Sequence, residues 1–514
     1  MLVKELSFML LGVNKLKEFL VERQSQGENR GHTPLSSKDS YEREVDDSIK
    51  LEVCSSLNTP LQKIREDQKV FFTQQNTKPI EFRLAQLAKL EMMIRQNEEA
   101  IKECLKKDLG KPETEAYLSE VAFVLEEITF AKKNLRKWMA PRKIPASVNV
   151  APAKCQVQSE PLGEVLIIAP WNYPFQLTLG PLVGAIAAGN TVVLKPSEIS
   201  THTTQLICDL MRKNFLEDYI AVFTGGPHVS KALLEKPWGH VFFTGSTQVG
   251  RLVSMACGAH LTPVTLELGG KSPCIIDETA SISVAAKRII WGKFLNAGQT
   301  CIAPDYVLVH ESKKEAFVAE AKAKIVSFYG ENPQKSGDYS RIINAKQFDR
   351  LIALTKDAHI LAGGESDKEA LYISPTLLDG VSLSHPIMQE EIFGPLLPIL
   401  TFDKIEEAIG MVRERQKPLA LYLFSESKER QKSVFESLSF GGGCINDTIM
   451  HCVNIKMPFG GVGQSGTGAS HGKHSFDTFS HVKSLLSNTT AIDLPLRYPP
   501  HPTWKQKLFR LLMG

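Results

Sequence analysis

The sequence predicts an α/β protein built on parallel sheets. Short, continuously apolar runs recur at 165–169, 191–194, 219–223 and 240–243, with helix-like stretches at 177–188 and 201–213 between them. Strands buried on both faces read as unbroken apolar runs, and their alternation with helices marks βαβ units. A second block runs from about Lys271 to Leu400. It has strand-like runs at 274–276 and 306–309 and helical stretches at 281–296, 311–328 and 345–357. The length of 514 residues, 43% apolar and 23% charged, provides a core large enough for both blocks.

Taken in order, residues 1–60 open with a short apolar run at 6–13 and turn polar from 24 to about 56. The apolar run is preceded by an acid and followed by no small-residue cleavage site, so it makes a weak signal peptide. We expect a variable, partly disordered extension with one or two short helices. From 61 to 138 the pattern is amphipathic and helical, with Phe82, Leu84, Leu87, Leu90 and Met93 as the apolar face and Gly110-Lys111-Pro112 as the break. Residues 148–150 and 155–157 alternate like exposed strands. The closing segment 504–513 (WKQKLFRLLM) mixes Lys and Arg with Trp, Phe and Leu. Such a helix lies on a membrane surface or packs on its own subunit. No internal repeat is visible.

Charge and cysteine usage exclude several classes. Sixty basic against 57 acidic residues leave +3, which gives no reason to expect nucleic acid or an anionic membrane as the main partner. No apolar run reaches the 18 or so residues of a membrane span. Nine cysteines form no C-x-x-C pair, and the thirteen histidines no H-E-x-x-H, so neither a disulfide framework nor a metal site is expected. A reducing, cytoplasmic compartment fits, with peripheral membrane attachment as the alternative.

Three segments look like phosphate-binding motifs. Gly461-Val462-Gly463-Gln464-Ser465-Gly466 matches G-x-G-x-x-G, but no buried strand precedes it and no acid follows at about 20 residues. It reads as a glycine loop that needs positive φ. Gly270-Lys271-Ser272 resembles the end of a P-loop, but Thr265 stands where the upstream glycine is required. The better candidate is Phe243-Thr244-Gly245-Ser246-Thr247-Gln248-Val249-Gly250, which closes a buried strand and opens a helix whose N–H groups favour pyrophosphate. Lys195 and Glu198 lie at a second strand end, and ligands of open α/β sheets sit beyond such ends.

Three further segments carry chemistry. Asn172, in Pro170-Trp171-Asn172-Tyr173-Pro174, offers an amide donor to a carbonyl oxygen beside prolines that fix the backbone. Glu267 stands among leucines ahead of Gly269-Gly270, where burial would raise its pKa and suit it as a general base. Cys301 follows Asn296-Ala297-Gly298-Gln299-Thr300, small residues that leave the thiol open to substrate. On its own, Cys301 would read as a small buried hydrophobe.

Together these stretches strongly resemble the aldehyde dehydrogenase superfamily: PWNYP at 170–174, VVLKPSE at 192–198, FTGSTQVG at 243–250, LELGGKSP at 266–273, NAGQTC at 296–301 and EEIFGP at 390–395. MPFGGVGQSGTGASHGKHSFDTFSH at 457–481 and RYPP at 497–500 look like its class 3, fatty-aldehyde branch. The resemblance implies a Rossmann-type cofactor domain (61–138 and 160–266) and an α/β catalytic domain (267–440). It also implies an oligomerisation element (139–159 and 480–500), a glycine-rich bridging segment (441–479) and a short tail (501–514). It makes Cys301 the nucleophile, with Asn172 and the Cys301 N–H stabilising the oxyanion, and Glu267 the activator of the hydrolytic water. Lys195 and Glu198 would hold the adenosine ribose, and Gly245, Ser246 and Gly250 the pyrophosphate. Glu391 would hold the nicotinamide ribose, with Phe393 flanking the ring. Glu198 would repel a 2′-phosphate, which favours NAD, with NADP as the second option. The implied substrates are apolar aldehydes, aliphatic of medium or long chain or aromatic, and the implied assembly is a homodimer. Two alternatives stay open: a CoA-acylating enzyme, which would have no use for Glu267, and a non-catalytic scaffold.

Overall fold

The computed structural model describes residues 47–147, 150–493 and 497–513, with side chains from Pro60 to Leu511. The chain divides into a segment Met1–Ser55 and a compact unit Ser56–Gly514, which carries both large sheets. Most of the expected extension lies outside the described residues. Its last part begins the helix Asp47–Thr73, so no element boundary falls at 60.

Helices Ile80–Gln96 and Glu98–Leu109 follow, and Gly110 ends the second in the left-handed region at φ 58°. The run from Glu113 to Met139 is then helical throughout, with a π turn at Tyr117–Ala122. Single π turns inside α-helices recur at functional sites. The buried faces of these helices pack with the helix Gln176–Ala188 into one apolar cluster. That helix begins on a remote carboxylate: Glu120 Oε2 accepts from the N–H groups of Phe175 and Gln176 at 3.0 and 2.9 Å. Lys111 Nζ pairs with Glu120 Oε1 and donates to the Asn172 carbonyl at 3.2 Å, and both charged side chains are fully buried.

Strands β1 (Arg142–Ile144) and β2 (Lys154–Pro161) pair antiparallel. The expected strand at 148–150 is not seen: 148–149 lie outside the described residues and Val150 is in a turn. Then β3 (Glu164–Ile168), β4 (Thr191–Lys195), β5 (Ile220–Val222), β6 (His240–Thr244) and β7 (Val264–Glu267) run parallel in the order β7-β6-β3-β4-β5. The chain moves outward from β3 to β5, then returns to the other side of β3 with β6. The switch point therefore lies between the carboxyl ends of β3 and β6, where open sheets place their ligands.

The second sheet contains β8 (Pro273–Ile276), β9 (Tyr306–His310), β10 (His359–Ala362), β13 (Thr376–Asp379), β14 (Leu396–Phe402), β15 (Ala420–Phe424) and β16 (Gly442–Ile445), in the order β10-β13-β14-β9-β8-β15-β16. Only β10 is antiparallel. A small ribbon, β11 (Ser366–Asp367) with β12 (Tyr372–Ile373), hangs from it. β16 extends this sheet past the expected boundary at 440. β17 (Gly466–Thr467) returns to the first sheet and pairs antiparallel with β7, Gly466 opposite Glu267. β18 (Ser480–Ser487) pairs with β2 along its whole length, from Ser480 opposite Pro161 to Ser487 opposite Lys154.

Candidate active site

The two sheets meet at a cavity of about 870 Å³ whose wall is mainly apolar. Cys301, Glu267, Thr244 and Tyr173 line it, together with Leu118, Phe123, Trp291, Leu295, Phe328 and Val453. The helical run Glu113–Met139, with its π turn, forms one side; residue periodicity alone gave no sign of that.

Cys301 sits at the end of a loop bent against its own preferences. Asn296 and Ala297 have φ of 53° and 51°, and Gly298 of 75°. Left-handed backbone at non-glycine residues costs roughly 1–2 kcal/mol each, and persists where neighbours over-determine it. Gln299 supplies that constraint. Its side chain donates to the carbonyls of Asn296 and Arg341 at 3.0 and 2.9 Å and accepts from Ile343 N at 3.0 Å. Asn172 Nδ2 donates to Gln299 O at 3.0 Å, and Asn296 Nδ2 donates to Asn172 O at 2.8 Å. Asn172 is thus joined to the cysteine loop at both ends. It is buried beside the cavity and not among its lining residues, and one Nδ2–H remains for another acceptor. Tyr173 OH and Thr300 Oγ1 close the same junction at 2.7 Å.

Burial pushes the Cys301 thiol above its ordinary range, and the nearby Glu391, Glu267 and Cys452 add to the shift. A thiol so placed is protonated at rest and needs a base. Glu267 ends β7, and burial pushes its carboxyl up to about 8, opposed by one hydrogen bond from Ser470. Its Oε1 accepts from Ser470 Oγ at 2.9 Å, while Oε2 is buried without a hydrogen-bond partner among the described residues.

The cofactor candidates lie on the other side. Lys195, at the end of β4, is buried and holds Glu198 Oε2 at 2.6 Å. Gly245 and Ser246 follow β6. Ser246 caps the helix Thr247–Ala259, accepting from Val249 N at 3.4 Å, and Gly250 packs against Leu268. Glu391 reaches Gly269 so closely that a Cβ there would collide with its carboxylate. Burial, then Asp305, raises the Glu391 carboxyl to about 8, and its Oε1 has no hydrogen-bond partner among the described residues. Phe393, at φ 50°, meets Trp171 edge to face at 5.3 Å. Strand-end cation, helix N-terminus at the switch point and a buried carboxylate with one oxygen left for a further donor fit a nicotinamide dinucleotide.

Lys271, which the failed P-loop match left without a role, clamps this half. It pairs with Asp305 and donates to the carbonyls of Ile387 and Glu390 at 2.8 and 2.9 Å. The G-x-G-x-x-G stretch is, as its context implied, a loop: Gly463 and Gly466 have φ of 65° and 150°. Ser470 and His471 also line the cavity; both stand in the class 3-like stretch 457–481, but neither has a spacing that marks it in the sequence. Among the described residues no group of three or more His, Cys, Asp or Glu is placed to hold a metal ion.

Residues 56–485 match the family model described as the aldehyde dehydrogenase family. The chain is 50% identical over 437 residues to the 4,4'-diaponeurosporen-aldehyde dehydrogenase of Staphylococcus aureus, covering 85% of this chain and 95% of that one. It is 44% identical over 431 residues to the dimeric NADP-preferring aldehyde dehydrogenase of Canis lupus familiaris, covering 84% and 95%. The solved substrate-bound state of Staphylococcus aureus AldH superposes with a TM-score of 0.87 at 48% identity, over 88% of this chain and 99% of that one. The chain belongs to the aldehyde dehydrogenase family, and it is an NAD(P)-dependent oxidoreductase that takes aldehydes to carboxylic acids.

Proposed function

We propose that this chain oxidises uncharged, apolar aldehydes through a covalent intermediate on Cys301, released by water that Glu267 activates. One observation carries the substrate class. Among the described residues no lysine or arginine lines the cavity. Of its acids Glu115, Glu126, Glu127, Glu267 and Asp338, burial raises Glu115 and Glu127 to about 7 and Glu267 to about 8, so the mainly apolar wall carries little charge. An apolar chain gains from burial there, whereas a charged substrate group would lose its hydration and find no cation to pair with. The carboxylate product likewise finds no cation there, which favours its release.

In this reading Cys301 attacks the aldehyde carbonyl, and its proton passes to Glu267. The backbone N–H of Cys301 and the free Nδ2–H of Asn172 stabilise the oxyanion; the loop contacts of Asn172 hold that donor in place. Oxidation of the Cys301 thiohemiacetal to a thioester needs a hydride acceptor, which a bound NAD(P) would supply. Lys195 and Glu198 would hold its adenosine ribose, Gly245, Ser246 and Gly250 its pyrophosphate, and Glu391 and Phe393 its nicotinamide end. Glu198 would disfavour a 2′-phosphate, so NAD is the proposed preference. Once the thiol's proton has left Glu267 for solvent, Glu267 takes a proton from water, and hydroxide resolves the thioester, releasing the acid and the Cys301 thiolate, which is reprotonated. CoA acylation would leave Glu267 idle, and a scaffold would need neither it nor Cys301.

The experiment is NADH formation from a saturated aldehyde series without CoA. Each added methylene that enters the cavity should raise kcat/KM by up to about fourfold, from about 0.8 kcal/mol per buried CH₂. A flat series, or strict dependence on CoA, would overturn the reading.

Two finer proposals concern assembly and place. β18 presents Val482, Leu485 and Leu486 half exposed and, among the described residues, pairs only with β2. Such an edge invites pairing, and we assign it to a homodimer. The tail forms the helix Thr503–Met513 with Trp504 and Leu511 exposed beside Lys507 and Arg510, which supports peripheral membrane contact of a cytoplasmic enzyme. Deleting 501–514 should release the protein from membrane fractions; unchanged fractionation removes the idea.

A further inference from the structure

We propose that Ser470 is a positioning residue: its hydroxyl holds Glu267 Oε1 and leaves Oε2 as the oxygen that takes the proton from water. This rests on the reading of Glu267 as the base. Ser470 Oγ lies 2.9 Å from Glu267 Oε1 and 3.3 Å from Phe459 O. A hydroxyl has one proton, so the two acceptors compete, and the nearer carboxylate wins. When Glu267 is withdrawn, the Phe459 carbonyl keeps the hydroxyl satisfied. Oε2 is buried and without a hydrogen-bond partner among the described residues.

The backbone that carries Ser470 is fixed from every side. Ser470 and Phe459 exchange both backbone hydrogen bonds, at 2.7 and 3.1 Å. His471 has φ 76° and ψ 132°, a conformation that a side chain makes costly. Its N–H donates to Ser475 Oγ at 2.8 Å, its ring stacks on Phe459 at 4.9 Å, and the next residue, Gly472, donates to both oxygens of Glu127 at 3.1 and 2.9 Å. β17 pairs Gly466 with Glu267 itself. One loop therefore sets both the backbone and the side chain of Glu267, and the strain at His471 directs Ser470 onto the carboxylate.

The Ser470 hydrogen bond also opposes the upward shift that burial imposes on Glu267. The other titratable groups on the elements around it are the Cys301 and Cys452 thiols, Glu391 against Gly269, Glu127 bonded to Gly472, and His471. Burial raises Glu127 to about 7 and Glu391 to about 8, so Glu267→Gln is the reference that isolates the Glu267 midpoint. Burial keeps His471 neutral down to about 3, so it does not titrate in the working range.

The test uses the full chain with Ser470→Ala, Ser470→Thr and Glu267→Gln, reading the pre-steady-state NADH burst and the steady-state rate from pH 6 to 9.5. Ser470→Ala should slow the steady state about tenfold at pH 7, the scale of one hydrogen bond to a charged group. The burst should fall less, and the midpoint of the steady-state pH profile should move up. Ser470→Thr, which keeps the hydroxyl, should restore both. Equal loss of burst and steady state with an unmoved midpoint would mark a merely structural residue and overturn the proposal. An unchanged Ser470→Ala profile beside a slow Glu267→Gln would overturn it too. If Glu267→Gln itself leaves deacylation unchanged, the reading of Glu267 as the base fails instead.

Discussion

Glu267→Gln should stabilise the protein at alkaline pH and leave its stability unchanged at acid pH. The carboxyl titrates near 4.5 when unfolded and at about 8 when folded, because burial disfavours its charge. A carboxyl raised by folding adds stability that is fully present below the unfolded value and lost as pH rises through the folded one. The shift corresponds to a loss of up to about 5 kcal/mol between those limits. Glutamine keeps an oxygen for Ser470 and carries no charge to bury, so it escapes the loss. Thermal melts of both proteins at pH 5 and pH 9 measure this. The melting temperatures should agree within about 1 °C at pH 5 and separate by several degrees at pH 9, the variant being the higher. In the same samples the wild-type deacylation rate should rise roughly tenfold from pH 7 to 9, because only about a tenth of Glu267 is ionised at pH 7. An equal difference in melting temperature at both pH values would mean that folding does not raise the Glu267 carboxyl.

Lys111→Met should lower the melting temperature sharply, since removing one partner of a buried pair costs about 3–5 kcal/mol; Lys111→Met with Glu120→Leu should recover less than a full packing swap, because Glu120 also starts the helix at Gln176. Lys271→Met should raise KM for NAD several-fold with little change in aldehyde KM, since the side chain clamps the loop that carries Glu391 and Phe393; equal effects on both substrates would contradict this. Val482→Asp should convert the proposed dimer to monomer in size-exclusion chromatography with light scattering, and an unchanged mass would remove β18 from the interface.

The strands of the first sheet were legible because they are buried on both faces. The runs at 165–169, 191–194, 219–223 and 240–243 became β3 to β6 with ends shifted by one residue or so. β7 was less legible: it is short, and its last residue is the charged Glu267. The sequence shows a helical stretch to 296 and small residues before Cys301, but not the left-handed backbone at Asn296 and Ala297, which is set by Gln299 and Asn172, partners distant in sequence or side-chain specific. The helical layer before 139 showed its amphipathic period but not which residues face the cavity, because Phe123 and Leu118 look like any other apolar helix positions. Ser470 was invisible for a similar reason. A serine in a glycine-rich loop has no spacing that names Glu267, 203 residues earlier, as its partner.

Peptide mass spectrometry of Glu267→Gln, quenched after mixing with NAD and a long-chain aldehyde, tests the assignment of the nucleophile most directly. An acyl group should accumulate on Cys301, in a thioester that the wild type clears, and the other eight cysteines should stay free. An acyl group on Cys452, on any other residue or on none, with NADH still formed, would contradict it.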